Sequence, residues 1–269
     1  MIQKITGFGP REIALIFELE QRENTVFSFA QAAKIIGGSL ASVASILTRL
    51  KRKRRISTLQ RGLYLYAPLK SGFDGNWSED AFAVVPSLVK GRDYYIGFVS
   101  AMNYWGMTEQ LPISVLVALK RQKASLEAVG AKFAFIKKPR LGAATSIKIS
   151  GRDVLISTRE QTIIDGLLFP GKCLGIAGVA NAIDSSSREL RWEKLLELAN
   201  AEKEVVRRRL GYILELLGRK EIAKKLEGKF TGFAWLDPSS SKNVLSYSKK
   251  WGLKLNLTEK QLLEFREVH

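Results

Sequence analysis

The chain has 269 residues, 46% of them hydrophobic and 26% charged, and 43 Lys and Arg against 26 Asp and Glu leave a net charge of +17. That length and balance suit a globular protein of about two domains, and they exclude collagen-like, disordered and disulfide-scaffold classes. One cysteine, Cys173, and one histidine, His269, leave no internal disulfide, no zinc site built on Cys and His, and no Ser-His-Asp or Cys-His catalytic group.

In the apolar middle, the longest uncharged stretch is the fifteen residues 94–108, short of the ~18 that a membrane span needs. The lone cysteine suits a reducing compartment, and no signal-peptide pattern is present. A cytoplasmic protein with no membrane partner is expected. A basic excess of this size is a statement about partners: nucleic acid, an anionic surface or an acidic protein. Residues 1–70 carry 12 cations and 4 acids, whereas residues 71–269 carry 31 and 22. The N-terminal part is therefore much more densely basic, and no acid interrupts Arg49 to Arg61.

In chain order, Pro10 opens a helix with Ile13, Leu15, Ile16, Phe17 and Leu19, which ends near residues 22–25. Val26–Phe27 is a short extended piece. Ser28 caps a second helix to about Ile36, and Gly37-Gly38 stop it. Ser39 caps a third helix from Leu40 to about Lys53. Its apolar stripe reads Leu40, Val43, Ala44, Leu47 and Leu50, with Ile46 at the edge. The opposite face holds Ser42, Ser45, Arg49 and Arg52, with Thr48 beside it. Short side chains there permit close approach to a major groove, and arginines reach guanine edges or phosphates. Ile56–Leu59 and Leu63–Tyr66, joined by Gln60-Arg61-Gly62, read as a hairpin ended by Pro68.

Three helices followed by a basic hairpin is the order of a winged helix-turn-helix. Base readout is expected from Ser42, Ser45, Thr48 and Arg49, and phosphate contact from Lys51, Arg52, Arg54, Arg55 and Arg61. The plainer reading of the basic run is a solvated helix end that complements the helix dipole. The element order and the double-glycine turn favour DNA. A membrane-surface role would need the apolar stripe that the module uses for its own core.

Residues 71–79, with Gly72, Asp74, Gly75, Asn76 and Ser78, form the best linker candidate. Beyond them, helices are expected over Asp80–Val89, from Ser100 to Tyr104 or Trp105, opened by Thr158 or Ser157, over Gly175–Ile183, around Leu195, Leu210 and Ile222, and after Thr258, which stands at capping-box spacing from Gln261. Strands are expected at Tyr94–Phe98, Ile113–Leu119, Lys132–Ile136, Thr145–Ile149, Asp153–Ser157 and Gly252–Leu257. The fold class is α+β: a winged helix-turn-helix over 1–70, a linker at 71–79, and a larger mixed α/β domain over 80–269.

No catalytic residue, metal site or cofactor site is read from the chain. Asp153, Glu160 and Asp165 are the best-placed carboxylates, but no phosphate loop or Asp-x-Asp pattern accompanies them. Gly171-Lys172 lacks the rest of a phosphate loop. Cys173 is a small buried residue in this reading, because no histidine can activate it. Lys137, Lys138 and Arg140, and Arg207 and Arg208 with Arg209, are either solvated charges or a second anionic contact surface.

Several segments carry a family resemblance together. They are Arg61-Gly62-Leu63-Tyr64 with Pro68, Ser100-Ala101 with Gly106-Met107-Thr108-Glu109-Gln110, Arg159-Glu160-Gln161-Thr162-Ile163-Ile164-Asp165, and Arg208-Arg209-Leu210-Gly211-Tyr212-Ile213-Leu214-Glu215. In this order the chain resembles the AbiEi family, antitoxins and transcriptional repressors of bicistronic abortive-infection toxin–antitoxin systems. It departs at Trp105, where relatives often have histidine, and at Met107, where leucine is usual. The resemblance implies a winged helix that binds inverted repeats in duplex DNA upstream of its own operon. It also implies a C-terminal domain that counters a nucleotidyltransferase-like toxin without a stable complex being required. The rival expectations are a metal-dependent enzyme on nucleic acid, using Asp153, Glu160, Asp165 and Lys172, and an RNA-associated binding protein.

Overall fold

The computed structural model describes residues 7–21, 25–71, 79–91 and 93–267. The fold is mixed α/β and divides into two compact units. The first is Met1–Arg92 with Ser125–Phe133 and Lys148–Val154; the second is Asp93–Ala124 with Ala134–Ile147 and Leu155–His269. Most of the expected linker, residues 72–78, lies outside the described residues, as does His269.

The first unit opens with α1 (Pro10–Gln21), β1 (Val26–Ser28), α2 (Phe29–Ile36) and α3 (Leu40–Arg52). Ser28 and Gln31 form a reciprocal capping box on α2, and the Ser39 hydroxyl accepts from Ser42 N at the start of α3. Gly37 and Gly38 have φ of 68° and 82°, a region where a Cβ is penalised. They let the chain turn in three residues, so that α3 leaves α2 at 105°. Next come β2 (Ile56–Gln60) and β3 (Leu63–Tyr66), then α4 (Ala81–Val89), which Asp80 caps.

Both hairpin strands fall where period-two alternation places them, but the sheet has three strands. The order is β1-β3-β2, with Val26–Ser28 antiparallel to Leu63–Leu65. Three residues are too short for periodicity to show, so this pairing is visible only in the fold. The core is Leu15, Ile16, Leu19, Phe27, Ala32, Ile36, Val43, Ile46, Leu47, Leu50, Ile56 and Tyr66. The α3 stripe is therefore rotated from the expected one: Ile46 is buried, while Leu40 is 68% exposed and Ala44 is exposed. Positions 43, 46, 47 and 50 keep the i, i+3, i+4, i+7 spacing, and Leu40 lies in the first turn, beyond the core's reach.

After α4 the chain forms a six-stranded sheet with one helix among its strands: β4 (Tyr94–Ile96), α5 (Phe98–Tyr104), β5 (Ser114–Leu119), β6 (Leu126–Ala128), β7 (Ala131–Lys137), β8 (Ala144–Ile149) and β9 (Arg152–Ser157). β6 falls in the first unit, and β4, α5 and β5 fall in the second. The strand order is β6-β7-β5-β4-β9-β8. Central β4 is antiparallel to β5 and parallel to β9, a non-sequential order that no local pattern encodes. Helices α6 (Arg159–Leu168), α7 (Gly175–Ser185), α8 (Trp192–Ala201), α9 (Glu204–Leu216) and α10 (Lys220–Lys224) follow. A small sheet of β10 (Ala234–Trp235), β11 (Ser246–Ser248) and β12 (Leu253–Leu255), and then α11 (Glu259–Leu263), complete the unit. Among the described residues, no single helix is long and apolar enough to cross a membrane.

Candidate nucleic-acid interface

On α3 the residues expected to read bases all lie off the core side, each with a defined partner. Ser45, Thr48 and Arg49 are exposed and Ser42 is half-buried. The Ser42 hydroxyl accepts from Arg11 Nη1 at 3.3 Å, and Ser45 Oγ accepts from Arg49 Nη1 at 3.2 Å. The Thr48 hydroxyl donates back to Ala44 O at 2.9 Å, a local bond that compensates for a helix-interior threonine. Arg49 Nε donates to Glu12 Oε1 at 2.8 Å.

The phosphate set divides. Arg52, Arg54 and Arg61 are exposed, Arg54 with φ of 55° and Arg61 beside Gly62 at φ 75°. Lys51 is exposed and lies over the Tyr64 ring at 5.2 Å, and that ring stacks on Phe27. Arg55 departs from the expectation: it is only 4% exposed. It stands at the entry to β2, where Arg55 N donates to Leu50 O and Arg55 O accepts from Ala67 N. Its charge acts inward, on Tyr66. Burial and the neighbouring Glu20 raise the Tyr66 phenol well above its ordinary range, and Arg55 pulls the other way.

Sequence reasoning missed Arg11 and Glu12. Glu12 is 1% exposed and occupies the buried side of α1 with Leu15, Ile16 and Leu19. It holds Arg49, Lys53 Nζ at 2.5 Å and Gly9 N at 3.0 Å. Burial pushes its pKa up, but the hydrogen bonds from Lys53, Arg49 and Gly9 outweigh this and lower it below the ordinary value. The signal was available: a glutamate at i with apolar residues at i+3, i+4 and i+7 sits on the core stripe, and a buried carboxylate needs cations.

The cations weighed either as solvated charges or as a second anionic surface do not share one environment. Lys137 and Arg140 are exposed and Arg207 is half-buried over the Phe230 ring, but Lys138 and Arg208 are buried. Lys138 Nζ donates to Asp165 Oδ1 at 2.5 Å and to Tyr95 OH at 3.1 Å. Asp165 also accepts from Tyr95 OH at 2.7 Å and Gln161 Nε2 at 2.8 Å. Arg208 pairs with Glu204 and donates to the carbonyls of Thr231, Gly232 and Gly252. Arg209 is likewise buried, on the carbonyls of Leu167 and Trp235. Lys138 is thus spent on side chains, and Arg208 and Arg209 mainly on backbone carbonyls brought from distant segments.

The three carboxylates weighed as a catalytic set are each held by a separate cation. Asp153 pairs with Lys148 at 3.2 Å, Glu160 with Arg191 at 3.1 Å and Asp165 with Lys138. Among the described residues no group of three His, Cys, Asp or Glu is arranged to hold a metal ion. Cys173 is fully buried, and its thiol pKa is raised by burial and by the charge of Asp165.

With this geometry in hand, the chain can be set beside known proteins. The fold is shared with the crystal structure of the RV2827C protein from Mycobacterium tuberculosis, with a TM-score of 0.69 over 97% of this chain and 96% of that chain. The two are 12% identical, so the likeness is one of fold alone. No protein-family model matches the chain, and no curated protein matches it in sequence.

Proposed function

We propose that the chain is a sequence-specific DNA-binding repressor whose first unit works as a winged helix-turn-helix. The observation that carries this reading is the α2–turn–α3 arrangement. Two capped helices stand at 105° across three residues, two of them glycine, within the ~90–120° of helix-turn-helix units. The second helix turns Ser45, Thr48 and Arg49 outward. Lys51, Arg52, Arg54 and Arg61 lie along the end of that helix and the hairpin tip, where a duplex backbone would pass. Arg55 is left out of the contact set because it is buried.

In keeping with the resemblance to the AbiEi family, the DNA is proposed to be inverted repeats upstream of the chain's own operon. The larger unit is proposed to counter a nucleotidyltransferase-like toxin. The test is a gel-shift titration at two salt concentrations, comparing that upstream duplex with a scrambled duplex of equal length. The upstream DNA is expected to bind tighter and to keep its advantage at higher salt. With four exposed phosphate contacts, log K should fall against log salt with a slope of about −4, at ~0.9 per contact. Equal binding to both duplexes, erased by salt, would sink the reading.

A further inference from the structure

Two consecutive residues of α1 reach the outer face of α3: Arg11 touches Ser42, and Glu12 touches Arg49 and Lys53. The Glu12 side chain is 2% exposed and so does not meet a duplex itself. Its two oxygens are divided. Oε1 takes Arg49 Nε, while Oε2 takes Lys53 Nζ and Gly9 N. Arg49 is held a second time, through Nη1 on Ser45 Oγ. A guanidinium carries its five N–H groups in one plane. Anchored at Nε and Nη1, that plane has one orientation, with Nη2 left over.

We propose that Glu12 is a positioning residue for base recognition, fixing the guanidinium plane of Arg49 before DNA arrives. The proposal rests on the reading that α3 enters the major groove. Electrostatics argue that this carboxylate is not there for affinity, because a negative charge among DNA-facing cations weakens the attraction to phosphate. What offsets that loss is order. A long side chain immobilised in the free protein no longer loses its rotamer freedom on binding, and a bidentate contact to a base edge depends on the plane being correctly aimed. Arg52 and Arg61, which have no such carboxylate clamp among the described residues, suit phosphate contact, where aim matters little.

The experiment is selection of preferred duplexes from a random-sequence pool by the wild-type protein and by Glu12→Gln, which keeps the side-chain size and removes the charge. The wild type is expected to select a consensus. Glu12→Gln should bind a scrambled duplex as well as the wild type or better at low salt. It should lose discrimination by about tenfold and blur one base position. In an Arg49→Ala background, Glu12→Gln should change discrimination no further.

If Glu12→Gln selects the same consensus with the same discrimination, the proposal is overturned while the reading of α3 stands. If the wild type selects no consensus, that reading fails and the proposal falls with it. A parallel loss of binding to both duplexes marks a purely structural role and also overturns the proposal. Should Glu12→Gln not fold, side-chain relaxation of the wild-type arginines decides. Arg49 Nε–H is expected to be rigid and slow to exchange beside mobile Arg52 and Arg61, and equal mobility of all three overturns the proposal.

Discussion

Arginines of this chain look alike in the sequence and do different work. Arg61 at the hairpin tip is exposed, whereas Arg208 is 5% exposed and holds three loop carbonyls. Arg61→Ala should weaken binding to all duplexes alike and flatten the salt slope by about 1, with the thermal midpoint unchanged. Arg208→Ala should instead lower stability by about 1–3 kcal/mol, since it removes a buried guanidinium's charge-assisted hydrogen bonds to those carbonyls. Thermal unfolding checks that loss; an unchanged midpoint would mean that solvent replaces the guanidinium.

A second residue-scale expectation concerns acid. Burial pushes the Glu160 carboxyl up, but hydrogen bonds from Arg191 lower it further, so its pKa lies below the ordinary 4.5. A carboxylate lowered in the folded state adds stability above its unfolded pKa and loses it as pH falls through the folded value. Stability should therefore drop on acidification below about pH 4.5, and Glu160→Gln should reduce that drop. Denaturant midpoints measured from pH 6 to pH 3 test this, and parallel curves for the two proteins would count against it.

At the scale of elements, two of the motifs that carried the family resemblance, those in α6 and α9, turn out to be staples. In α6, Glu160 is held by Arg191, Gln161 by Ala143 N and Asp165, Thr162 by Ser157, and Asp165 by Lys138. In α9, Arg209 and Leu210 serve the core, and Gly211 is buried with Trp251 lying in the space a Cβ would take. A Cβ at Gly211 would stand 2.1 Å from that ring. Trp251 is fully buried and donates through Nε1 to Glu215 at 2.7 Å, so it cannot swing aside. Gly211→Ala should thus cost about 1–3 kcal/mol through overpacking, despite the better helix propensity of alanine. A midpoint equal to or above that of the wild type would show that β12 and its loop yield easily. These motifs bear on the fold of the larger unit, and the proposed DNA contact lies on α3 and the β2–β3 turn.

At the scale of the molecule, the +17 charge is not one continuous anion-binding field. Part of it is spent inside: Lys138, Arg208 and Arg209 in the second unit and Arg55 in the first are all buried. In the proposed function, the charge left on the α3 face and the hairpin tip would make binding to any duplex salt-sensitive. Discrimination between duplexes would then come from the few side chains whose aim is set, which is why the proposed test separates salt slope from sequence preference.

The sequence by itself determined the local elements. Caps at Ser28, Ser39 and Thr258, the stop at Gly37-Gly38 and the hairpin at Gly62 all depend on neighbours within a few residues, and each is found where the pattern puts it; of Ser157 and Thr158, Thr158 caps its helix. The α3 face was legible for the same reason, since helical spacing sorts polar from apolar positions. Only the tertiary structure decided which side chains were free to act. It joined Val26–Ser28 to the hairpin and rotated the α3 stripe onto Ile46. It turned Arg55, Lys138 and Arg208 inward and set Glu12 of α1 against Arg49, 37 residues away. Burial of a charge depends on partners brought from distant segments, and periodicity carries no information about those.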